Sequence, residues 1–292
     1  VSALAARGIR KRYGGVVALD GAAFTLERGE IHALIGANGC GKSTLCKIIA
    51  GAVSADAGEL LLYDRVVSFA GPADAVEAGI DMFYQELSLI PAMTVAENIY
   101  LGREPLTRLG LVDRAALRAQ AAAAIAEFGE ALGLGVDPDA AVSDLSADQR
   151  QIIEILKVLA RQARIIIFDE ATAALDRHQV GILFEHLTRL RSDGRSIIFI
   201  SHRIDEVFAI ADRVTVMRNG GNVMTRRIAE VTRDEVVTAM VGDTQLTRSE
   251  AHHRPRPEPA LRVEGLDAGK LAGVSMTLRR GEIVGLGGLH GQ

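Results

Sequence analysis

Residues 30–50 read Glu30-Ile31-His32-Ala33-Leu34-Ile35-Gly36-Ala37-Asn38-Gly39-Cys40-Gly41-Lys42-Ser43-Thr44-Leu45-Cys46-Lys47-Ile48-Ile49-Ala50, passing from an apolar run through a glycine-rich turn into helical spacing. Ile31, Ala33, Leu34 and Ile35 predict a short strand over 30–36. Leu45, Ile48 and Ile49 fall on one face of a helix over 43–50. Between them, residues 36–43 satisfy G-x-x-x-x-G-K-[ST]. Glycines there let backbone N–H groups wrap phosphates, Lys42 reaches the β/γ oxygens and Ser43 is placed to ligate Mg²⁺. Gly36, Asn38, Gly39, Cys40, Gly41, Lys42, Ser43 and Thr44 are therefore candidate nucleotide-binding residues.

Further along, Ile165-Ile166-Ile167-Phe168 and Ser196-Ile197-Ile198-Phe199-Ile200 are nearly all apolar. Strands buried on both faces of a mostly parallel sheet look like this. Helical patterns over 152–159 and 180–190 alternate with them, which predicts an α/β layered domain. Asp169 and Glu170 end the first of these runs, at a strand's carboxyl end, where such folds place ligands. In that position Asp169 would hold Mg²⁺ and Glu170 would polarise an attacking water. A dipole-favoured helix start is the plain alternative for the pair, and the phosphate loop upstream weighs against it.

Residues 87–161 are alanine-rich and poor in strand patterns, with one long helix expected over 114–132, broken by Gly133 and Gly135. This reads as a helical subdomain inserted between strands. Pro255, Pro257 and Pro259 then mark an extended linker over 246–260. Beyond it the chain repeats itself: Leu26-Glu27-Arg28-Gly29-Glu30-Ile31 is echoed by Leu278-Arg279-Arg280-Gly281-Glu282-Ile283, a register that also pairs Gly36 with Gly288 and Gly39 with Gly291. The expected organisation is a first domain over 1–245, the linker, and the truncated start of a second related domain over 261–292.

Composition narrows the partners. A formal net charge of -4 and the absence of a basic tract leave no footprint for nucleic acid, so none is expected. Cys40 and Cys46 form neither a disulfide framework nor a metal cluster. No run approaches the roughly 18 apolar residues of a membrane span, so a cytoplasmic protein is expected, reaching a membrane only through a partner.

The motifs in this order resemble the ATP-binding subunits of ABC transporters, with a fold of P-loop NTPase type carrying an inserted helical subdomain. The resemblance covers residues 3 to about 243 and implies roles for further residues. Tyr13, in Lys11-Arg12-Tyr13-Gly14-Gly15, matches the aromatic that stacks on adenine. Gln85, in Phe83-Tyr84-Gln85-Glu86-Leu87, matches the glutamine that contacts Mg²⁺ and water. His202, in Ile200-Ser201-His202, matches the switch histidine at the γ-phosphate, and Asp176 the loop that communicates between paired sites. The implied catalytic set is Glu170, His202, Gln85 and Lys42; the implied metal set is Ser43, Gln85 and Asp169. The family signature Leu-Ser-Gly-Gly-Gln stands here as Leu145-Ser146-Ala147-Asp148-Gln149. Ser146 matches the serine that meets the γ-phosphate held by the opposite domain, whereas Asp148 puts a carboxylate where glycine is usual.

Residues 85–91 and 94–104 are similar to the duplicated ATPases of bacterial monosaccharide importers. That branch implies ATP and Mg²⁺ as cofactors and transmembrane permease subunits as partners. It also implies an indirect sugar-binding protein outside the membrane, and a second ABC domain of the same chain or a second copy. The location implied is peripheral, on the inner face of the cell membrane. Two rivals share several motifs: a soluble duplicated ATPase acting on ribosomes or nucleic acid, and a nucleotide-binding module without efficient hydrolysis. The short, proline-bearing linker speaks against the first, and the presence of Lys42 and Glu170 against the second.

Overall fold

The structure is a computed structural model that describes residues 2–84, 88–127, 136–242, 256–269 and 271–285. The chain forms two compact units, residues 1–243 and 244–292.

In the first unit, the apolar runs become the centre of a six-stranded sheet in the order β10-β9-β3-β8-β7-β6. Its members are β3 (Ile31–Gly36), β6 (Ile80–Phe83), β7 (Ile165–Asp169), β8 (Ser196–Ile200), β9 (Arg213–Arg218) and β10 (Gly221–Arg227). Strands β9, β3, β8, β7 and β6 run parallel, and β10 closes one edge antiparallel. All residues of β3, β6, β7 and β8 are buried, as continuous apolar strands covered on both faces require. The register pairs Gly36 with Met217, Asp169 with Ile200 and Phe83 with Phe168. The carboxyl ends of β3, β8, β7 and β6 therefore open on one edge of the sheet.

A second sheet, in the order β2-β1-β4-β5, is antiparallel throughout. It is built from β1 (Ser2–Tyr13), β2 (Val16–Glu27), β4 (Ala57–Leu62) and β5 (Arg65–Val67). Leu4, Ile9, Leu19 and Leu26 of this sheet share one core with Leu34, Ile167 and Ile198 of the parallel sheet and with Leu45 and Ile49 of α1 (Lys42–Ile49). Helix α1 is thus packed between the two sheets, with its first turn fixed at the end of β3. Helix α2 (Pro72–Glu77) leads into β6.

The segment between β6 and β7 is helical, as expected: α3 (Val95–Tyr100), α4 (Arg114–Glu127) and α5 (Ala147–Leu159). The continuation of α4 expected to residue 132 lies outside the described residues. Val95, Ile99, Leu117, Ala121, Ile152 and Leu156 join Phe168 and Phe199 in a second core, so the helical segment is anchored to the sheet by apolar burial. Buried Asn98 pins the segment's entry loop: its amide accepts from Ile90 N at 2.7 Å and donates to the carbonyls of Ile90 and Thr94. Helices α6 (Arg177–Ser192) and α7 (Ile204–Ile210) follow β7 and β8, and α8 (Arg233–Val241) packs Val236 against Val214 and Val216 of β9.

Among its described residues, the second unit contains one antiparallel pair, β11 (Pro259–Ala268) and β12 (Leu271–Arg279).

Candidate functional site

The glycine loop leaves β3 at Gly36 and enters α1 through Gly41, whose φ of 105° lies in the left-handed region. A Cβ on Gly41 would stand 2.6 Å from Ala18 O and 2.7 Å from Leu19 Cδ2. One on Gly36 would stand 2.2 Å from Met217 O. Glycine is required at both positions, by conformation and by space. Lys42 is 7% exposed, and its ammonium donates to Gly36 O at 2.9 Å and Ala37 O at 3.1 Å, with Cys40 Sγ at 3.8 Å. A positive charge is thereby held inside the concave face of the loop. Cys40 itself is buried.

Ser43, at the first turn of α1, has its hydroxyl near enough to the Asp169 carboxylate to lower that group's pKa. These two residues come from motifs far apart in sequence, and the neighbouring strands β3, β8 and β7 bring them to one place. Burial raises the Asp169 pKa most strongly; the nearby Ser43 hydroxyl opposes this, Glu170 adds to it, and Lys42 and Lys47 counter it. A hydroxyl and a buried carboxylate form a hard oxygen pair that suits Mg²⁺, which keeps several water or phosphate ligands of its own. Among the described residues no group of three or more His, Cys, Asp and Glu side chains gathers for a metal. A cation here would therefore share its shell with nucleotide oxygens.

Glu170 takes up a left-handed backbone, φ 54°, as its N–H bonds to Ile200 O at 3.1 Å. For a residue with a Cβ this conformation costs on the order of 1 kcal/mol. It turns the side chain out of the strand direction and toward His202, whose Nδ1 lies 3.6 Å from Glu170 Oε1. His202 is about half exposed and Glu170 one-fifth exposed, so both face the open edge. Tyr13 ends β1, 47% exposed, with Lys11 Nζ 5.6 Å from its ring centre. An accessible aromatic face is available there for stacking. Gln85 lies outside the described residues.

Ser146 is the N-cap of α5: its hydroxyl accepts from Gln149 N, and the Gln149 side chain accepts from Ser146 N at 2.8 Å. The same hydroxyl donates to the Asp148 carboxylate, and this bond is the main cause that lowers the Asp148 pKa. Gln179 Nε2 approaches the other Asp148 oxygen at 3.5 Å, while Gln179 N donates to Asp176 Oδ1 at 2.9 Å. Asp176 thus caps α6 and, through Gln179, reaches the signature segment of the same chain. Gln151, also buried, donates to Ala171 O and accepts from Ala174 N at 3.2 Å. It ties α5 to the turn after Glu170.

The structure therefore gathers Gly36–Ser43, Asp169, Glu170 and His202 at one sheet edge, and places Ser146 and Asp148 at the start of α5 beside Asp176 and Gln179. Sequence reasoning passed over Gln151, Gln179, Thr172, Ser201 and Glu206, which support these residues from behind. Polar side chains near helix starts read as caps or solvated groups, and of the residues around this site Gln149 and Gln179, each three residues past a cap, carry a capping-box signal.

The family model described as ABC transporter matches residues 19–173. The chain is 46% identical, over 98% of its length, to a ribose import ATP-binding protein RbsA of Chromobacterium violaceum. It is 48% identical, again over 98% of its length, to ribose import ATP-binding protein RbsA 1 of Rubrobacter xylanophilus. It spans about half the length of these curated relatives, 56% in each case. Among solved structures, the ADP conformation of an ATP-binding cassette of an ABC transporter superposes with a TM-score of 0.66 at 26% identity, covering 83% of this chain and 96% of that one.

Proposed function

Because the chain belongs to the ABC transporter family, sharing its P-loop ATPase fold, we propose that it binds MgATP and hydrolyses it to drive import of a monosaccharide through a membrane permease. The observation that carries this reading is the convergence at one sheet edge: the Ser43 hydroxyl near the Asp169 carboxylate, Lys42 inside the loop, and Glu170 within 3.6 Å of His202. The two relatives named for ribose import support the solute class.

In this mechanism Tyr13 stacks on the adenine, and the backbone N–H groups of 36–43 with Lys42 hold the phosphates. Ser43 and Asp169 would hold Mg²⁺, with Gln85 as a further ligand; when bound, the ion neutralises charge on the β and γ phosphates. Glu170 orients the water and takes its proton, and His202 contacts the γ-phosphate. Ser146 meets the γ-phosphate of a facing cassette, across an interface to which Asp176 belongs.

The facing cassette is either a second copy or a second domain of the same chain, of which residues 261–292 would be the beginning. The hairpins support that duplication. Glu30 Oε2 accepts from Glu27 N at 2.7 Å beside Gly29 at φ 64°, and Glu282 Oε2 accepts from Arg279 N at 2.8 Å beside Gly281 at φ 76°. The paired strands are antiparallel in both cases.

No helix among the described residues is long and apolar enough to cross a membrane. Attachment at the inner face would therefore come through the permease, to which a sugar-binding protein outside the membrane delivers the solute. The test is uptake of labelled monosaccharides by membrane vesicles carrying the permease, with wild-type chain or Glu170→Gln. ATP-dependent uptake lost in Glu170→Gln is expected. Uptake indifferent to the substitution would contradict the reading.

A further inference from the structure

The loops bearing Glu170 and His202 follow neighbouring strands, and a single side chain joins them from behind. Glu206, in α7, is 8% exposed. Its Oε2 accepts from the Thr172 hydroxyl at 2.8 Å and from the Ser201 hydroxyl at 2.6 Å, while its Oε1 accepts from the Arg203 guanidinium at 3.0 Å. The donors belong to both loops: Thr172 stands two residues beyond Glu170, and Ser201 immediately precedes His202. Ser201 Oγ also accepts from Arg203 N at 3.0 Å, closing a tight turn around His202. Thr172 lies inside the turn that Glu170 begins, since Ala173 N bonds to Glu170 O and Leu175 N to Thr172 O. Thr172 and Ser201 are 3% and 2% exposed, so water offers their hydroxyls no substitute partner. Only an acceptor with two oxygens can collect two hydroxyl protons on one and meet a guanidinium with the other.

We propose that Glu206 is a positioning residue that fixes the separation of Glu170 and His202, so that the water-orienting and phosphate-contacting loops move as one unit. It acts through Thr172 and Ser201. The proposal rests on the ATP-hydrolysing reading above.

The test is a double-mutant cycle in steady-state MgATP hydrolysis. Thr172→Val and Ser201→Ala each cut one loop from Glu206 and are expected to lower kcat about tenfold, a modest misplacement of the reacting groups, with KM within about twofold. Together they are expected to lower kcat by about tenfold again in total rather than a hundredfold, because either cut already uncouples the loops. Glu206→Gln keeps one carbonyl oxygen for both hydroxyls and is expected to stay within about threefold of wild type, whereas Glu206→Ala falls at least as far as the single cuts. Multiplicative losses, or a rise in KM at unchanged kcat, overturn the proposal and leave the hydrolysis reading standing.

If the wild-type chain does not turn over MgATP, it is that reading which fails, and hydrogen exchange then decides the coupling. Glu206→Ala is expected to speed exchange at the amides of Ala173, Leu175 and Arg203 together while residues 197–200 keep their protection. Faster exchange in one loop alone overturns the proposal.

Discussion

His32 illustrates what a single buried residue imposes. Its ring is fully buried in β3, Nδ1 donating to Thr25 O at 2.9 Å and Nε2 accepting from the Thr215 hydroxyl at 2.8 Å, with the Phe24 ring tilted against it at 4.5 Å between centroids. Burial, reinforced by the nearby Arg213 charge and only partly opposed by the Thr25 bond, lowers its pKa to about 3. Glu30 Oε2, 3.9 Å from Nδ1, is the facing acid, and it is engaged by Glu27 N and Arg213. The unfolded chain takes up this proton near pH 6.5 and the folded chain does not, so acid favours unfolding. Between pH 7.5 and 5 this one group is expected to remove about 2 kcal/mol of stability. Urea titrations of wild type and His32→Gln would check it: the variant should start less stable, for loss of packing, but fall less steeply with pH. Parallel slopes would show that His32 carries no such linkage.

The strand, turn and helix around the phosphate loop and the carboxylates after β7 were legible because buried parallel strands read as continuous apolar runs. The antiparallel sheet was not. In β1, buried Ala3, Leu4, Ala5, Ala6 and Ile9 are interleaved with Arg7, Arg10, Lys11 and Arg12, and Gly8 at φ 59° accompanies register shifts that break the alternation. Glu206 was equally opaque, since an acid in the first turn of a helix reads as a surface charge facing the helix dipole.

Among the elements, α5 carries the departure from the family pattern. Asp148 sits in its first turn, where a negative charge favours the helix, and it draws the Ser146 hydroxyl to itself. The same carboxylate would stand beside the γ-phosphate of a facing cassette. Asp148→Gly is therefore expected to lower the melting temperature slightly, by roughly 0.5–1 kcal/mol of helix stability, yet to raise ATP turnover at subsaturating ATP by roughly three- to tenfold through relief of like-charge repulsion. Thermal unfolding and initial rates on the same preparation separate the two effects. Unchanged or reduced turnover would mean that the Asp148–Ser146 bond does not oppose closure. The body of α5 is held independently by buried Glu154 and Lys157, which both engage Ser88: the Ser88 hydroxyl donates to Glu154 at 2.6 Å and accepts from Lys157 at 2.7 Å. The substitution should therefore remain local.

At the scale of the molecule, the first unit holds its own cores, whereas the described part of the second is one two-stranded ribbon with its strand residues mostly exposed. A two-stranded ribbon is marginal alone in water. A chain ending at residue 243 is accordingly expected to unfold cooperatively within about 3 °C of the 292-residue chain, since the described strand residues of the second unit are mostly exposed. Residues 244–292 alone should lack a cooperative transition by circular dichroism. Loss of cooperativity in the shorter chain would show that its core depends on the second unit.

Steady-state ATP turnover with and without Mg²⁺, for wild type and Glu170→Gln, decides whether hydrolysis takes place at the edge where β3, β7 and β8 end. Wild type should turn over ATP only with Mg²⁺, and Glu170→Gln should bind ATP with similar affinity while losing at least about a hundredfold in turnover. Equal turnover in both proteins, or turnover independent of Mg²⁺, would contradict the assignment of this site.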